Sequence, residues 1–269
     1  VATQTHELNI LIQAKDRASR ALGNFGRSIG KAAGLGLAGT TALVGGLAVA
    51  GASLIALGSD AEEMQGKFDV VFGDNAEQWA ARFDQLGDRL NRNRFKLMEF
   101  GSTLQDTFVP LGFARDEAAE MSLGLTQLTV DLASFNNAAE PDVLRDLQSA
   151  LVGNHETMRK YGVIITETVL KQELARLGLE DLEGAALEQA KVQARLNLIM
   201  QGTTDAQGDA ERTAGSWANQ MRAVKDTLAE TATTMGTELL PIVIPFLQNV
   251  ATLAEQYAPL VIQRFSQFA

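Results

Sequence analysis

The chain has 269 residues, no cysteine, two histidines and a formal net charge of −10. The missing thiols exclude disulfides and thiolate metal sites, and the acidic balance argues against specific nucleic-acid binding, which needs clustered Lys and Arg. Aromatic residues are only 6% and Ala, Leu and Gly dominate, so the expected fold class is all-α: an elongated multi-helix chain suited to helix-on-helix packing.

Residues 1–31 read as a basic amphipathic N-terminal segment. An extended start, Leu8 to Ile12, precedes Ala18, Leu22, Phe25 and Ile29 at three- and four-residue spacing. Such a face suits a membrane surface or a partner helix. Residues 32–58 follow as a glycine-rich apolar helix of membrane type. No charge occurs between Lys31 and Asp60, and seven glycines lie in that interval. About 20 apolar residues span a bilayer core, and Gly34, Ala38, Ala42, Gly46 and Ala50 recur every four residues as a small-residue stripe on which helix backbones can touch. Lys15, Arg17, Arg20, Arg27 and Lys31 on one side and Asp60, Glu62, Glu63 and Asp69 on the other would keep the N-terminal flank cytoplasmic. The competing readings are a glycine-rich core helix, a secretory signal ending near Ala48-Val49-Ala50, and a linker.

Residues 59–205 form a helical middle region. Ser59 with Glu62 has capping-box spacing for a helix start. Phe68, Val71, Phe72, Trp79, Phe83, Leu86 and Leu90 make an apolar stripe broken by a turn at Gly73-Asp74-Asn75, which predicts two helices. Ser102 and Gln105 repeat the capping spacing, and Val109-Pro110-Leu111-Gly112 closes that helix. Phe113 to Phe135 is the next, Pro141 suits the first turn of another, and Gly153-Asn154 ends it. Val163 to Thr166 has a strand-like look but is too short for a sheet. Two helices follow, Leu170 to Leu177 and Leu187 to Met200, parted by Gly178 and Gly184.

Residues 206–269 read as a long heptad-like helix kinked or broken at Pro241 and Pro245. Trp217, Met221, Val224, Leu228, Thr231 and Met235 alternate spacings of four and three. This is a coiled-coil seam, and Trp217, Met221, Val224, Leu228 and Met235 are the candidate self-association residues, with a trimer favoured over a hexamer. The alternative is a helix packed on the middle region of its own chain.

No catalytic, cofactor or metal site is found, and the chain is expected not to be an enzyme. His155-Glu156 lacks the second histidine of a zinc-peptidase motif. Gly26 to Lys31 has three residues between its glycines where a phosphate loop has four, and Ala32 stands where Ser or Thr would hold magnesium. Asp116-Glu117 and the Glu180, Asp181, Glu183 group read as helix-dipole and solvent-facing carboxylates.

Several segments in order resemble phage tail tape-measure proteins. They are Asp131 to Asn136, Leu147 to Gly153, Lys160 to Val163, Lys171 to Glu173, Asp205 to Asp209, Trp217 to Gln220, and Leu239 to Pro241 before an apolar helix. The resemblance implies a virion protein in the tail-tube lumen, with tail tube and tail tip or hub proteins as partners. It would set tail length during assembly and then help a channel form in the host inner membrane during genome delivery. A fully helical chain of this size spans about 400 Å at ~1.5 Å per residue, so a fragment of a longer tape or a short tail is expected. The second class of function consistent with the apolar segment is a soluble pore-forming toxin that inserts residues 32–58.

Overall fold

A computed structural model describes residues 40–266, with side chains over 53–241 and at 244. Every regular element among them is helical. In chain order these are α1 (Thr40–Phe72), a 3-10 turn (Gly73–Asn75), α2 (Ala76–Leu90), α3 (Arg94–Phe108), a 3-10 turn (Val109–Leu111) and α4 (Arg115–Phe135). Then come α5 (Glu140–Leu151), a 3-10 stretch (His155–Tyr161), α6 (Glu167–Leu177), α7 (Gly184–Gly202), the single turn α8 (Asp209–Arg212) and α9 (Trp217–Ser266).

Local chemistry sets several of the boundaries. The Asn93 side chain accepts from the backbone N–H of Phe95 at 2.9 Å and of Lys96 at 3.3 Å, capping α3. Thr166 caps α6 through Val169 N–H at 3.2 Å. Pro141 lies in the first turn of α5. Gly112 and Gly178 close the Val109–Leu111 turn and α6 in the left-handed region, at φ 95° and 70°. Two sequence-based starts differ. No helix begins at Ser59, because α1 continues through it to Phe72. Ser102 lies inside α3, where its hydroxyl donates to the Met98 carbonyl at 2.9 Å. α9 also runs on through Pro241, Pro245 and Pro259. Val163 and Ile165 are buried and Ile164 exposed, so the strand-like alternation is kept by an irregular segment that packs without a sheet.

The chain divides into two compact units, one of residues 61–231 and one of residues 1–60 with 232–269. In the first, the apolar faces of α2 to α7 and the end of α1 share one core. Phe68 and Phe83 meet edge to face at 5.6 Å, with Phe72 stacked on Phe68 at 4.1 Å. Leu97, Leu104 and Phe108 from α3, Leu125, Leu128 and Leu132 from α4, Leu147 and Leu151 from α5, and Ile199 from α7 complete it. Gly101 admits the Phe83 ring against the α3 backbone, since a Cβ there would stand 2.2 Å from Phe83 Cζ.

In the second unit, α1 and α9 touch backbone to backbone. A Cβ on Gly58 would lie 2.4 Å from the Gly236 carbonyl carbon, and one on Gly236 would lie 2.0 Å from the Leu54 carbonyl oxygen. Gly58 falls in the same four-residue register as the small-residue stripe. Of that stripe, Ala42, Gly46 and Ala50 belong to the backbone of α1, while Gly34 and Ala38, like the basic segment 1–31, lie outside the described residues.

The all-α class holds, but the elongated chain does not. Residues 61–231 turn back repeatedly to bury a common core rather than running end to end. Among the described residues no helix is long and apolar enough to cross a membrane. The expected membrane-type helix at 32–58 is corrected accordingly: its first residues lie outside the described range, and the helix containing the rest continues through Asp60, Glu62 and Glu63 to Phe72.

Candidate interaction surface

The sequence of α9 divides its first four turns into two opposed faces. With Met221 and Leu228 at heptad position a, Trp217, Val224 and Thr231 fall at d, and Asn219 and Asp226 fall at f, directly opposite. The structure separates these faces. Trp217 is 77% exposed, Met221 48%, Val224 55% and Leu228 67%. Asn219 is 4% exposed, and the Asp226 side chain is 13% exposed. Met235 is half-buried within the other unit. The flanking Ala218, Gln220, Lys225 and Thr227 are all exposed, leaving one charge beside the apolar stripe.

The opposite face is held by polar groups. The Arg92 side chain, carried by the left-handed turn at Asn91 between α2 and α3, is buried at the centre. Its Nε donates to Glu140 Oε1 at 2.8 Å and its Nη2 to Asn219 Oδ1 at 3.1 Å. Nη1 donates to the carbonyls of Leu90 and Asn91, and Asp226 Oδ2 lies 3.7 Å from Nε. Lys96 reaches the second Glu140 oxygen. Burial opposes ionisation of Glu140, but Lys96 and Arg92 outweigh it and hold that carboxyl below its ordinary range.

Asn219 continues the network into α4. Its Nδ2 donates to Ser134 Oγ at 2.9 Å and Thr213 Oγ1 at 2.8 Å, and Ser134 donates to Asp209 Oδ2 at 2.6 Å. Below it, Asp131 accepts the backbone N–H of Gly208 at 2.8 Å and of Ala210 at 3.1 Å. Burial pushes the Asp131 carboxyl up despite those two donors, and burial likewise raises Asp226. Two further contacts complete the docking: Arg222 donates to Asn137 Oδ1 at 3.0 Å, and Glu230 accepts the Arg94 backbone N–H at 3.2 Å. Three of the segments singled out in the sequence, 131–136, 205–209 and 217–220, therefore meet through Asp131, Ser134, Asp209 and Asn219.

The remaining chemistry-bearing candidates do not converge. Asp116 lies in the first turn of α4 and accepts from Asn75 at 2.9 Å. Glu180, Asp181 and Glu183 are exposed between α6 and α7. His155 is half-buried at the start of its 3-10 stretch. Among the described residues no group of His, Cys, Asp and Glu could hold a metal ion. The groove between α2 and α4 has its arginines engaged, Arg82 on Glu120 and Arg89 on Gln127. Gly26 to Lys31 lies outside the described residues.

Sequence reasoning located the heptad stripe, leaving open whether it packs on its own chain, but missed Arg92 and Glu140, which lie 48 residues apart and leave no local pattern. The seven-residue spacing of Asn219 and Asp226, opposite the seam, was the one available signal. No family model, curated protein or solved structure matches the chain. The resemblance to tape-measure proteins is corrected on that finding and on the compact bundle formed by residues 61–231. The tail-tube, tip and inner-membrane partners, the tail-lumen location, the length-setting and channel-forming role, and the pore-forming alternative are set aside with it, because no described helix can span a membrane.

Proposed function

We propose that this protein is a non-catalytic helical assembly module that associates with further copies of itself through the apolar stripe of α9. The observation that carries the reading is the outward display of Trp217, Met221, Val224 and Leu228 at alternating spacings of four and three. A 3.5-residue apolar repeat is the pattern that a second helix of the same kind fills, knob into hole. An apolar strip left facing water on a folded body marks an interaction surface. The neighbours of the stripe favour a second copy as the occupant: Ala218, Gln220 and Thr227 are uncharged, Lys225 is the lone charge, and two copies therefore meet without a field of like charges. The body docks on the opposite face, through Asn219 and Asp226, and so leaves the stripe sterically open.

The absence of cysteine makes the test direct. Val224→Cys places a thiol at the centre of the stripe, and Ala229→Cys places another at an exposed position off it. A disulfide forms only where Cα atoms approach to about 4.4–6.8 Å. Mild oxidation is expected to link Val224→Cys chains into covalent dimers much faster than Ala229→Cys chains. Equal, slow linking of both would overturn the reading.

A further inference from the structure

The first four turns of α9 are attached to the body in an unusual way. Within Trp217–Thr231 the one buried residue is Asn219, and no side chain of this stretch joins the apolar core, either as a buried member or as a partly buried neighbour. The core reaches only as far as Ala206 and Ala210 in the preceding segment. The stretch is held instead by Arg92 on Asn219 and Asp226, Ser134 and Thr213 on Asn219, Asn137 on Arg222, and Arg94 on Glu230.

Hydrophobic burial is non-directional and yields gradually, whereas hydrogen bonds and ion pairs are lost within about an ångström and are replaced by water. Lifting this stretch therefore withdraws no apolar side chain from the core. It opens a set of polar contacts that water satisfies, and it takes no member of the core around Phe68, Phe83, Leu104 and Leu128 with it.

We infer that Trp217–Thr231 is a polar-latched arm, which opens from a bundle that stays folded and so changes how the α9 stripe is presented. The inference concerns the regulation of the same surface and rests on the self-association reading only for its consequence; the latch itself stands on the contacts above. Asn219 is the residue on which the latch turns, joining the α2–α3 turn, α4 and the α8–α9 connection in one side chain. The charged groups facing the arm are Arg92, Lys96 and Glu140 around Asp226, and Arg94 beside Glu230. Asp209 and Arg212 face Asp131 beneath the adjoining segment.

Native-state hydrogen exchange read by mass spectrometry, across a urea series below the unfolding transition, tests this. Freed from the body, the first turns of α9 are an unsupported helix end that frays, so opening registers as exchange. In the wild type, amides of residues 220–231 are expected to exchange at least about tenfold faster than those of residues 125–132, with an opening step nearly independent of urea because little surface is exposed. Asn219→Ala should accelerate the arm about tenfold, the scale of one or two lost hydrogen bonds, and leave residues 125–132 unchanged. Glu230→Ala should act in the same direction by a smaller factor. Arm amides with the same rate and the same urea slope as residues 125–132 in the wild type would overturn the latch even if Asn219→Ala failed to fold. Failure of the cysteine linking experiment, with arm opening intact, would remove the self-association reading alone.

Discussion

Gly101 and Gly124 are both glycines inside helices, in α3 and α4, and the structure gives them opposite responses to alanine. A Cβ at Gly101 would stand 2.2, 2.6 and 3.0 Å from Cζ, Cε1 and Cε2 of Phe83. Carbon atoms in contact prefer about 3.5–4.0 Å, so the ring must withdraw by more than ~1 Å. It has no free direction, being fully buried with Phe68 edge-on at 5.6 Å and Phe72 at 5.8 Å. Overpacking of this kind costs about 1–3 kcal/mol, and the upper half of that range applies where the obstruction is a caged aromatic ring. Alanine returns ~1 kcal/mol of helix propensity. The expected net loss for Gly101→Ala is about 1–2 kcal/mol. Gly124 is exposed, and a Cβ there meets nothing within 4 Å, so Gly124→Ala keeps the propensity gain and should stabilise by ~0.5–1 kcal/mol. Urea unfolding followed by far-UV circular dichroism measures both against the wild type at constant m-value. A Gly101→Ala protein as stable as Gly124→Ala would refute the packing of Phe83 against the α3 backbone.

Three further outcomes follow from the same contacts. Arg92→Met removes the cation buried against Glu140, whose side chain is 4% exposed; because Lys96 still pairs with the carboxylate, the loss should fall below the ~3–5 kcal/mol of a buried charge left unpaired, read from the midpoint of chemical unfolding. Gly236→Ala sets a methyl 2.0 Å from the Leu54 carbonyl oxygen, an atom of helix backbone that cannot rotate away. It should lower stability by about 1–3 kcal/mol, with hydrogen exchange rising in residues 54–58 and 236–240 before residues 97–104 are affected. The buried carboxylates should also make stability depend on pH in the acid range, with opposite signs. Asp131 and Asp226 have folded-state pKa values raised by burial, so their contribution is present below the ordinary Asp value and is lost as pH rises through the raised one. Glu140 is held low by Lys96 and Arg92 against burial, so its contribution is present above the ordinary Glu value and is lost as pH falls through the lowered one. A wild type that gained stability over Asp226→Asn as pH rose above the ordinary Asp value would contradict this sign.

The helices of the middle region were legible because their signals are local. The break at Gly73-Asp74-Asn75, the closure at Val109 to Gly112, the span ending at Phe135 and the first-turn Pro141 all stand where spacing and turn chemistry put them. Capping patterns alone misled at Ser59 and Ser102, because Ser followed three residues later by Glu or Gln also occurs inside helices, where the hydroxyl bonds back to the preceding turn. The compact arrangement of residues 61–231 was not legible. Each apolar stripe reads the same whether its partner is a neighbouring helix of the chain or another molecule. The α9 stripe was legible as a heptad, yet its exposure follows from what holds the other face, and Arg92, Ser134 and Asn219 come together only in three dimensions. An uncharged run rich in Gly and Leu likewise fits a bilayer or a helix crossing. At its end, where Gly58 meets Gly236, two backbones touch.

The central claim is that the α9 stripe joins copies of this chain. Sedimentation velocity of the wild type over a range of concentrations, beside Val224→Glu and Leu228→Glu, tests it most directly. Both substituted side chains are exposed in the single chain, so the fold should be unaffected while a carboxylate enters the seam. The account predicts concentration-dependent oligomers for the wild type and monomers for both variants with unchanged circular dichroism. A wild type that stays monomeric throughout, or variants that assemble as the wild type does, would contradict it.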